Sequence, residues 1–273
     1  MIVADPGAGA AAGPSGCAIE LSGVVKTFEV RRGESLVALE GFELRVGNGE
    51  FVVLIGPSGC GKSTALRLMA GLEVAESGSV AVFGDPPDRT VRAGGIGMAF
   101  QDHALMPWLS VAGNVGLPFR IRGESRNETK VAELIDLVRL TGFERARPKH
   151  LSGGMRQRVS IARSLVLDPQ VLLLDEPFGA LDAVTRRSLN LELQHLWARG
   201  TITTVLVTHS VEEALLLGDR VAVMSQRPGR IILDVKVPFE RPRHKDVSQT
   251  VEFKRLHDEL VEALDEPAPA DGS

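Results

Sequence analysis

The stretch Gly56-Pro57-Ser58-Gly59-Cys60-Gly61-Lys62-Ser63 follows the unbroken apolar run Phe51-Val52-Val53-Leu54-Ile55 and leads into Thr64-Ala65-Leu66. It fits G-x-x-x-x-G-K-[ST] between a predicted strand and a predicted helix, which points to an α/β fold with a phosphate-binding turn at a strand end. The glycines let successive backbone N–H groups turn inward around an anion. The helix opening near Lys62 aims its positive dipole end at the same anion. Residues 56–64 would thus cradle a nucleoside triphosphate, with Lys62 reaching the β- and γ-phosphates and the Ser63 hydroxyl meeting Mg²⁺. A glycine-rich turn that merely connects strand to helix is the competing reading, so the rest of the chain has to decide.

Two further apolar runs, Val171-Leu172-Leu173-Leu174 and Val205-Leu206-Val207, lack polar alternation, as strands buried on both faces do. Open α/β sheets collect ligands at the carboxyl ends of their strands. The three runs would deliver Gly56, Asp175 and His209 to one edge. Asp175 and Glu176 end the second run as adjacent acids. Beside a phosphate loop the first acid helps to hold Mg²⁺ and the second polarises the attacking water. Acids that simply meet solvent at a strand end are the alternative.

Around these runs, residues 18–28 and 36–46 read as strands of an antiparallel flank separated by a polar turn. Between residues 100 and 167 the texture is helical: Val131, Leu134, Ile135 and Val138 follow i, i+3, i+4, i+7 spacing behind a Ser125-x-x-Glu128 capping box. Ser210-x-x-Glu213 opens another helix, residues 220–224 and 231–237 read as strands, and a last helix at about 252–264 carries Phe253, Leu256, Leu260 and Leu264 on one face. Residues 1–16 and 266–273 read as flexible tails.

Of 273 residues, 44% are apolar and 24% charged, with a net charge of −4; this fits a soluble globular chain whose main partner is not nucleic acid. The two cysteines, Cys17 and Cys60, lie in the leader and in the phosphate loop, so a reducing compartment is expected and a structural disulfide is not. No apolar run approaches the ~18 residues asked of a spanning helix. A membrane role would have to pass through a partner.

Leu151-Ser152-Gly153-Gly154-Met155-Arg156-Gln157-Arg158 is a second glycine-rich helix start. Alone it would be a serine cap. In its place between the phosphate loop and the Asp-Glu strand it resembles the LSGGQ signature of ATP-binding cassette (ABC) ATPases, whose order of motifs is matched from Phe28 to His209. That resemblance implies a P-loop NTPase (RecA-like) core of mostly parallel sheet over residues 17–99 and 168–240. It also implies an N-terminal antiparallel flank, an inserted helical subdomain at about 100–167, and ATP with Mg²⁺ as ligands. It further implies a second ATPase subunit, docked head to tail as a homodimer, so that Ser152, Gly153 and Gly154 meet the γ-phosphate held by the other subunit. Met155 departs from the family's commonest glutamine, which leaves the Ser-Gly-Gly site intact.

On the same resemblance Gln101 senses Mg²⁺ and the lytic water, Asp182 in Ala180-Leu181-Asp182 lies across the dimer interface, and His209 is the switch histidine on the γ-phosphate. Each also has an ordinary reading, as turn residue, helix cap and strand-end histidine. The adenine platform falls to Phe28, because the chain has no Tyr; core packing is the alternative for that ring. Residues 101–111, Gln-Asp-His-Ala-Leu-Met-Pro-Trp-Leu-Ser-Val, stand where the family docks a membrane-spanning partner. Leu105, Met106 and Trp108 suit an apolar groove or, equally, packing inside the helical block.

The Leu-Met-Pro-Trp stretch, the signature and Asp175-Glu176-Pro177-Phe178-Gly179-Ala180-Leu181-Asp182 together resemble the nitrate, aliphatic sulfonate and taurine branch of bacterial importers. The implied partners are integral membrane permease subunits and, indirectly, an extracytoplasmic solute-binding protein; the implied location is peripheral, on the cytoplasmic face of the inner membrane. A non-transport ABC ATPase, of the cofactor-assembly or DNA-repair type, is the alternative.

Overall fold

The computed structural model describes residues 16–31, 34–179, 181–197, 202–243 and 245–265. The flexible tails expected at 1–16 and 266–273 lie outside the described residues, apart from Gly16.

Two sheets carry the fold. The first pairs β1 (Cys17–Arg31) antiparallel with both β2 (Glu34–Gly47) and β4 (Ser77–Val82). It contains the expected flank and adds β4, which the sequence does not announce. The second has the strand order β5-β6-β7-β3-β8-β9, where β3 is Phe51–Ile55, β5 Ile96–Ala99, β6 Val171–Asp175, β7 Thr203–Val207, β8 Arg220–Met224 and β9 Ile231–Lys236. Five strands run parallel and β9 closes the edge antiparallel to β8. Every residue of β3, β6 and β7 is buried, which is why residues 51–55, 171–174 and 205–207 read without polar alternation; the buried Thr203 and Thr204 that open β7 do not share that pattern.

The strands sort their side chains between two cores by the two-residue period of a strand. Phe51, Val53 and Ile55 join Leu172, Leu174 and Leu206 on the face that meets the helices, whereas Val52 and Leu54 join Leu173, Val205 and the residues of α1 (Lys62–Met69) under the antiparallel sheet. Trp197 closes on Phe51 with ring centroids 4.4 Å apart.

After α1 comes the short α2 (Pro87–Arg92). Between β5 and β6 the chain forms α3 (Val111–Val115), α4 (Leu117–Ile121), α5 (Glu128–Leu137) and α6 (Gly153–Leu165). Val131, Leu134 and Ile135 of α5 are buried as the periodicity predicts, but the cap is not the Ser125 box: Asn127 accepts the Lys130 N–H through Oδ1. Asn ranks with Ser as an N-cap and stands one residue before the helix, where Ser125 is two residues too early. α7 (Ala183–Trp197), α8 (Val211–Leu217) and α9 (Val251–Asp265) complete the chain. Phe253, Leu256 and Leu260 of α9 bury against α8 and the sheet, as expected.

Candidate active site

The carboxyl ends of β3, β6 and β7 lie side by side, and the residues that leave them converge. At the end of β3 the chain turns through residues 56–61 into α1. Gly61 has φ of 108°, and a β-carbon there would fall 2.7 Å from the Ala38 carbonyl oxygen, so only glycine fits. As the N-cap of α1 it contributes no side-chain cap. Lys62 is buried, and its ammonium donates to the carbonyl oxygens of Gly56 and Pro57, both at 2.8 Å. Cys60 packs into the core beneath the loop, its sulfur 3.8 Å from Lys62 Nζ, so its side chain faces the core and only its backbone could join a phosphate cradle.

The Ser63 hydroxyl donates to Asp175 Oδ1 at 3.0 Å. Asp175, last residue of β6, is only 5% exposed. Burial raises its pKa, the Ser63 hydrogen bond opposes the shift, and the neighbouring Glu176 charge adds to it. The pair offers oxygen donors only, a hydroxyl and a carboxylate at hydrogen-bond distance, and the nearby Arg67 and Lys62 charges offset only part of the cost of burying the carboxylate. That set suits Mg²⁺, which takes one or two carboxylates and fills its shell with water and phosphate oxygens.

Glu176 extends the sheet through one more bond, its N–H donating to Val207 O at 2.9 Å, and then turns off it with φ of 46°. A non-glycine residue in that region costs about 1–2 kcal/mol. Such strain concentrates at functional sites. The turn brings the carboxylate between two polar side chains: Gln101 Nε2 donates to Oε2 at 3.4 Å, and His209 Nδ1 stands 3.7 Å from Oε1. Gln101 follows β5 and His209 follows β7, so three strand ends supply one carboxylate and its two neighbours.

The remaining predicted residues lie apart from this cluster. Ser152 caps α6, its Oγ accepting the Met155 N–H at 3.2 Å, and is exposed together with the half-buried Gly153 and Gly154. Asp182 caps α7 by accepting the Val184 and Thr185 N–H groups at 3.1 and 2.9 Å; these bonds hold its carboxyl below the usual range. Its ordinary reading as a cap is therefore met. Phe28 is half-buried near the end of β1 and belongs to neither core, while Lys26 Nζ lies 5.1 Å from its ring centroid.

Leu105 and Trp108 part company. Leu105 packs against the core, whereas Trp108 is 67% exposed at the tip of a turn closed by Leu109 N–H to Met106 O. Buried Asn114 holds that turn, accepting from Met106 N–H and donating to the carbonyls of Met106, Leu109 and Ser110. Arg163 is a residue that sequence reasoning missed. Its guanidinium on α6 donates to the carbonyls of His103 and Ala104 and ties that helix to the segment behind Gln101, yet in sequence it reads like any helix arginine.

The glycine-rich turn with Lys62, the Ser63–Asp175 hydrogen bond and the strained Glu176 carboxylate share one parallel-sheet edge, the arrangement expected of a nucleoside-triphosphate hydrolase site. Residues 39–179 match the protein family described as ABC transporter. The chain is 43% identical to the aliphatic sulfonates import ATP-binding protein SsuB of Bacillus subtilis, over 89% of this chain and 93% of that protein. It is 44% identical to the taurine import ATP-binding protein TauB of Burkholderia pseudomallei, over 91% and 96%. Among solved structures, the dimeric ABC transporter cassette MJ0796 superposes with a TM-score of 0.74 at 31% identity, over 81% of this chain and all of that one; the same cassette is known in a post-hydrolysis state bound to ADP and Pi. The chain belongs to the ABC transporter family, and it is an ATP-binding, ATP-hydrolysing cassette.

Proposed function

We propose that this cassette is the energy-supplying subunit of a bacterial importer for a small sulfonate, taurine or nitrate-like solute. The reading is carried by likeness to the sulfonate and taurine import proteins across about nine-tenths of the chain. Among the described residues no helix is long and apolar enough to cross a membrane, so cargo would cross through membrane subunits, with this chain peripheral to them. The exposed Trp108 turn supports a docking role for that segment: an indole left in water on a rigid turn is an anchor awaiting a pocket.

In this reading the backbone of residues 56–63 and the Lys62 ammonium bind the phosphates, and Phe28 stacks on adenine. Ser63, Asp175 and Gln101 would hold Mg²⁺, which when bound neutralises phosphate charge. Glu176 is the general base. Two of its carboxylate lone-pair sites face Gln101 and His209 and the others remain free for a water. As the water oxygen bonds to the γ-phosphorus, its proton passes to Glu176 and the bond to the ADP oxygen breaks. Ser152, Gly153 and Gly154 serve the nucleotide of a second copy docked head to tail, with Asp182 at the seam.

Capture of the tagged chain from detergent-solubilised membranes tests the transport reading. An integral membrane partner, and ATP-dependent uptake of taurine, an alkanesulfonate or nitrate by vesicles holding both, is the expected result. Capture of a soluble cofactor-assembly or DNA-repair protein instead would overturn it.

A further inference from the structure

Asn190 stands in the middle of α7, where asparagine is a poor helix former, and it is only 8% exposed. Its buried side-chain Oδ1 accepts no hydrogen bond among the described residues. One turn later on the same face, Gln194 shows what a buried amide ordinarily does: its Oε1 accepts the Arg243 N–H at 2.5 Å, and its Nε2 donates to Arg243 O at 3.3 Å. A buried polar group without a partner carries a desolvation cost, and each one in a folded chain calls for an explanation. Asn190 lines a cavity of about 520 Å³ between α7 and α8, a volume in the range of small-ligand sites.

The walls of that cavity differ in sign. α7 presents Arg186 and Arg187, α8 presents Glu212 and Glu213, and Asp246 adds a third acid from the segment before α9. Arg243 also lines the cavity, but its guanidinium is taken up by the carbonyls of Leu215, Gly218 and Phe239. Arg186 donates one N–H to Leu181 O at 3.0 Å, and its Nε has no partner. Among the described residues no ion pair joins the α7 arginines to the three acids. Unlike charges that share a cavity without closing on each other leave both signs free for an occupant. Guanidinium groups grip an oxyanion through paired N–H donors, and Glu213, 7% exposed, offers an ammonium a carboxylate shielded from water, where such a contact is strengthened.

We propose that this cavity binds a small zwitterion with an ammonium at one end and a carboxylate or sulfonate at the other. Glu213 takes the ammonium, Arg186 and Arg187 take the oxyanion, and the Asn190 amide hydrogen-bonds between them. None of residues 56–64 lines the cavity, so the site is separate from the phosphate loop. It stands whether or not the importer reading holds.

The test is isothermal titration of the full chain, with ADP present to fill the phosphate loop. Taurine and β-alanine are compared with isethionate, which has a hydroxyl in place of the ammonium, and with propylamine, which lacks the oxyanion. Both zwitterions are expected to bind at one site per chain, and the two single-charge probes at least about tenfold more weakly, since each forfeits a hydrogen bond between charged groups. Arg187→Ala and Glu213→Gln should each weaken taurine binding by about tenfold or more, and Glu213→Gln should also remove the preference over isethionate. Stronger binding of taurine than of β-alanine makes the oxyanion a sulfonate, and the reverse makes it a carboxylate. No saturable binding of either zwitterion, equal binding of taurine and isethionate, or undiminished binding in either folded variant overturns the proposal. Thermal melts check folding; if Glu213→Gln does not fold, the exposed Arg187→Ala and the isethionate comparison decide. A negative result leaves the importer reading untouched, because cargo there crosses through membrane subunits.

Discussion

The chain contains two glycine-rich helix starts, and they are built to opposite ends. At α1 the N-cap is Gly61, which provides no side-chain cap, and the helix opens onto buried Lys62, the Ser63–Asp175 hydrogen bond and the end of the parallel sheet. At α6 the N-cap is Ser152, which caps its own helix and is exposed. A helix start without its own cap invites an anion to serve the first N–H groups. One that is already capped and faces outward gains an anion only from outside the chain. In the proposed reading the first is half of a site within one molecule, and the second is half of a site between two.

The largest effect that could break this contrast lies at the α1 side. Glu176→Gln is expected to bind ATP yet lose roughly 10²- to 10⁴-fold in hydrolysis, the range of a positioned general base. Near-wild-type turnover would move the base elsewhere. Next comes Lys62→Ala, expected to weaken ATP binding by roughly 10- to 100-fold, since a hydrogen bond to a charged group contributes ~1.5–3 kcal/mol. Titration of single subunits with a fluorescent ATP analogue would measure it. Ser152→Ala in the same titration should leave affinity unchanged.

Mixing sharpens the contrast further. Lys62→Ala and Ser152→Ala subunits are each expected to hydrolyse slowly as homodimers. A mixed head-to-tail dimer holds one doubly damaged site and one intact site, so combining the two preparations should restore up to about half of wild-type turnover per mixed dimer, as separate sites add independently. No restoration at any mixing ratio would place Ser152 and Lys62 at the same subunit's nucleotide.

Much of this difference is legible in the residues, for a physical reason. Strands β3, β6 and β7 are buried on both faces, so the sequence shows apolar runs in each, at residues 51–55, 171–174 and 205–207, with the candidate residues at their carboxyl ends. Other elements lack that signature. β4 is Ser-Gly-Ser-Val-Ala-Val with its first three positions exposed. β5 is four residues long and includes Gly97, where a β-carbon would come within 2.0 Å of Ser164 O, a contact that composition cannot express. At α5 the capping-box pattern points to Ser125, while Asn127 caps the helix without a returning acid. Gln101, Asp182 and Ser152 stand out only through motif order, because a turn glutamine and two helix caps carry no local mark of chemistry. Glu213 is visible only as the fourth position of a capping pattern. Nothing in Thr208-His209-Ser210-Val211-Glu212-Glu213 says that the last acid is buried.

The smallest effect separates the two helix starts by sign. Asp175 is held in a buried place where its charge is penalised, whereas Ser152 makes a hydrogen bond that stabilises its helix. Asp175→Asn keeps an acceptor for Ser63 and removes the buried charge, so it is expected to raise Tm by about 2–4 °C, the shift that ~1 kcal/mol gives a domain of this size. Ser152→Ala should lower Tm by about the same amount, since an N-cap contributes ~1 kcal/mol. The pH dependence follows from the direction of the Asp175 shift. A carboxyl whose folded-state pKa is raised favours the fold fully below its unfolded pKa, and that contribution is lost as pH rises through the folded value. The advantage of Asp175→Asn over wild type should therefore be largest near neutral pH and shrink on acidification, while the deficit of Ser152→Ala, which involves no titrating group, should hold steady. Melts at several pH values measure both. Parallel pH profiles for the two variants would mean that Asp175 carries no penalty from its buried charge, and the α1 side would then be no more strained for function than the α6 side.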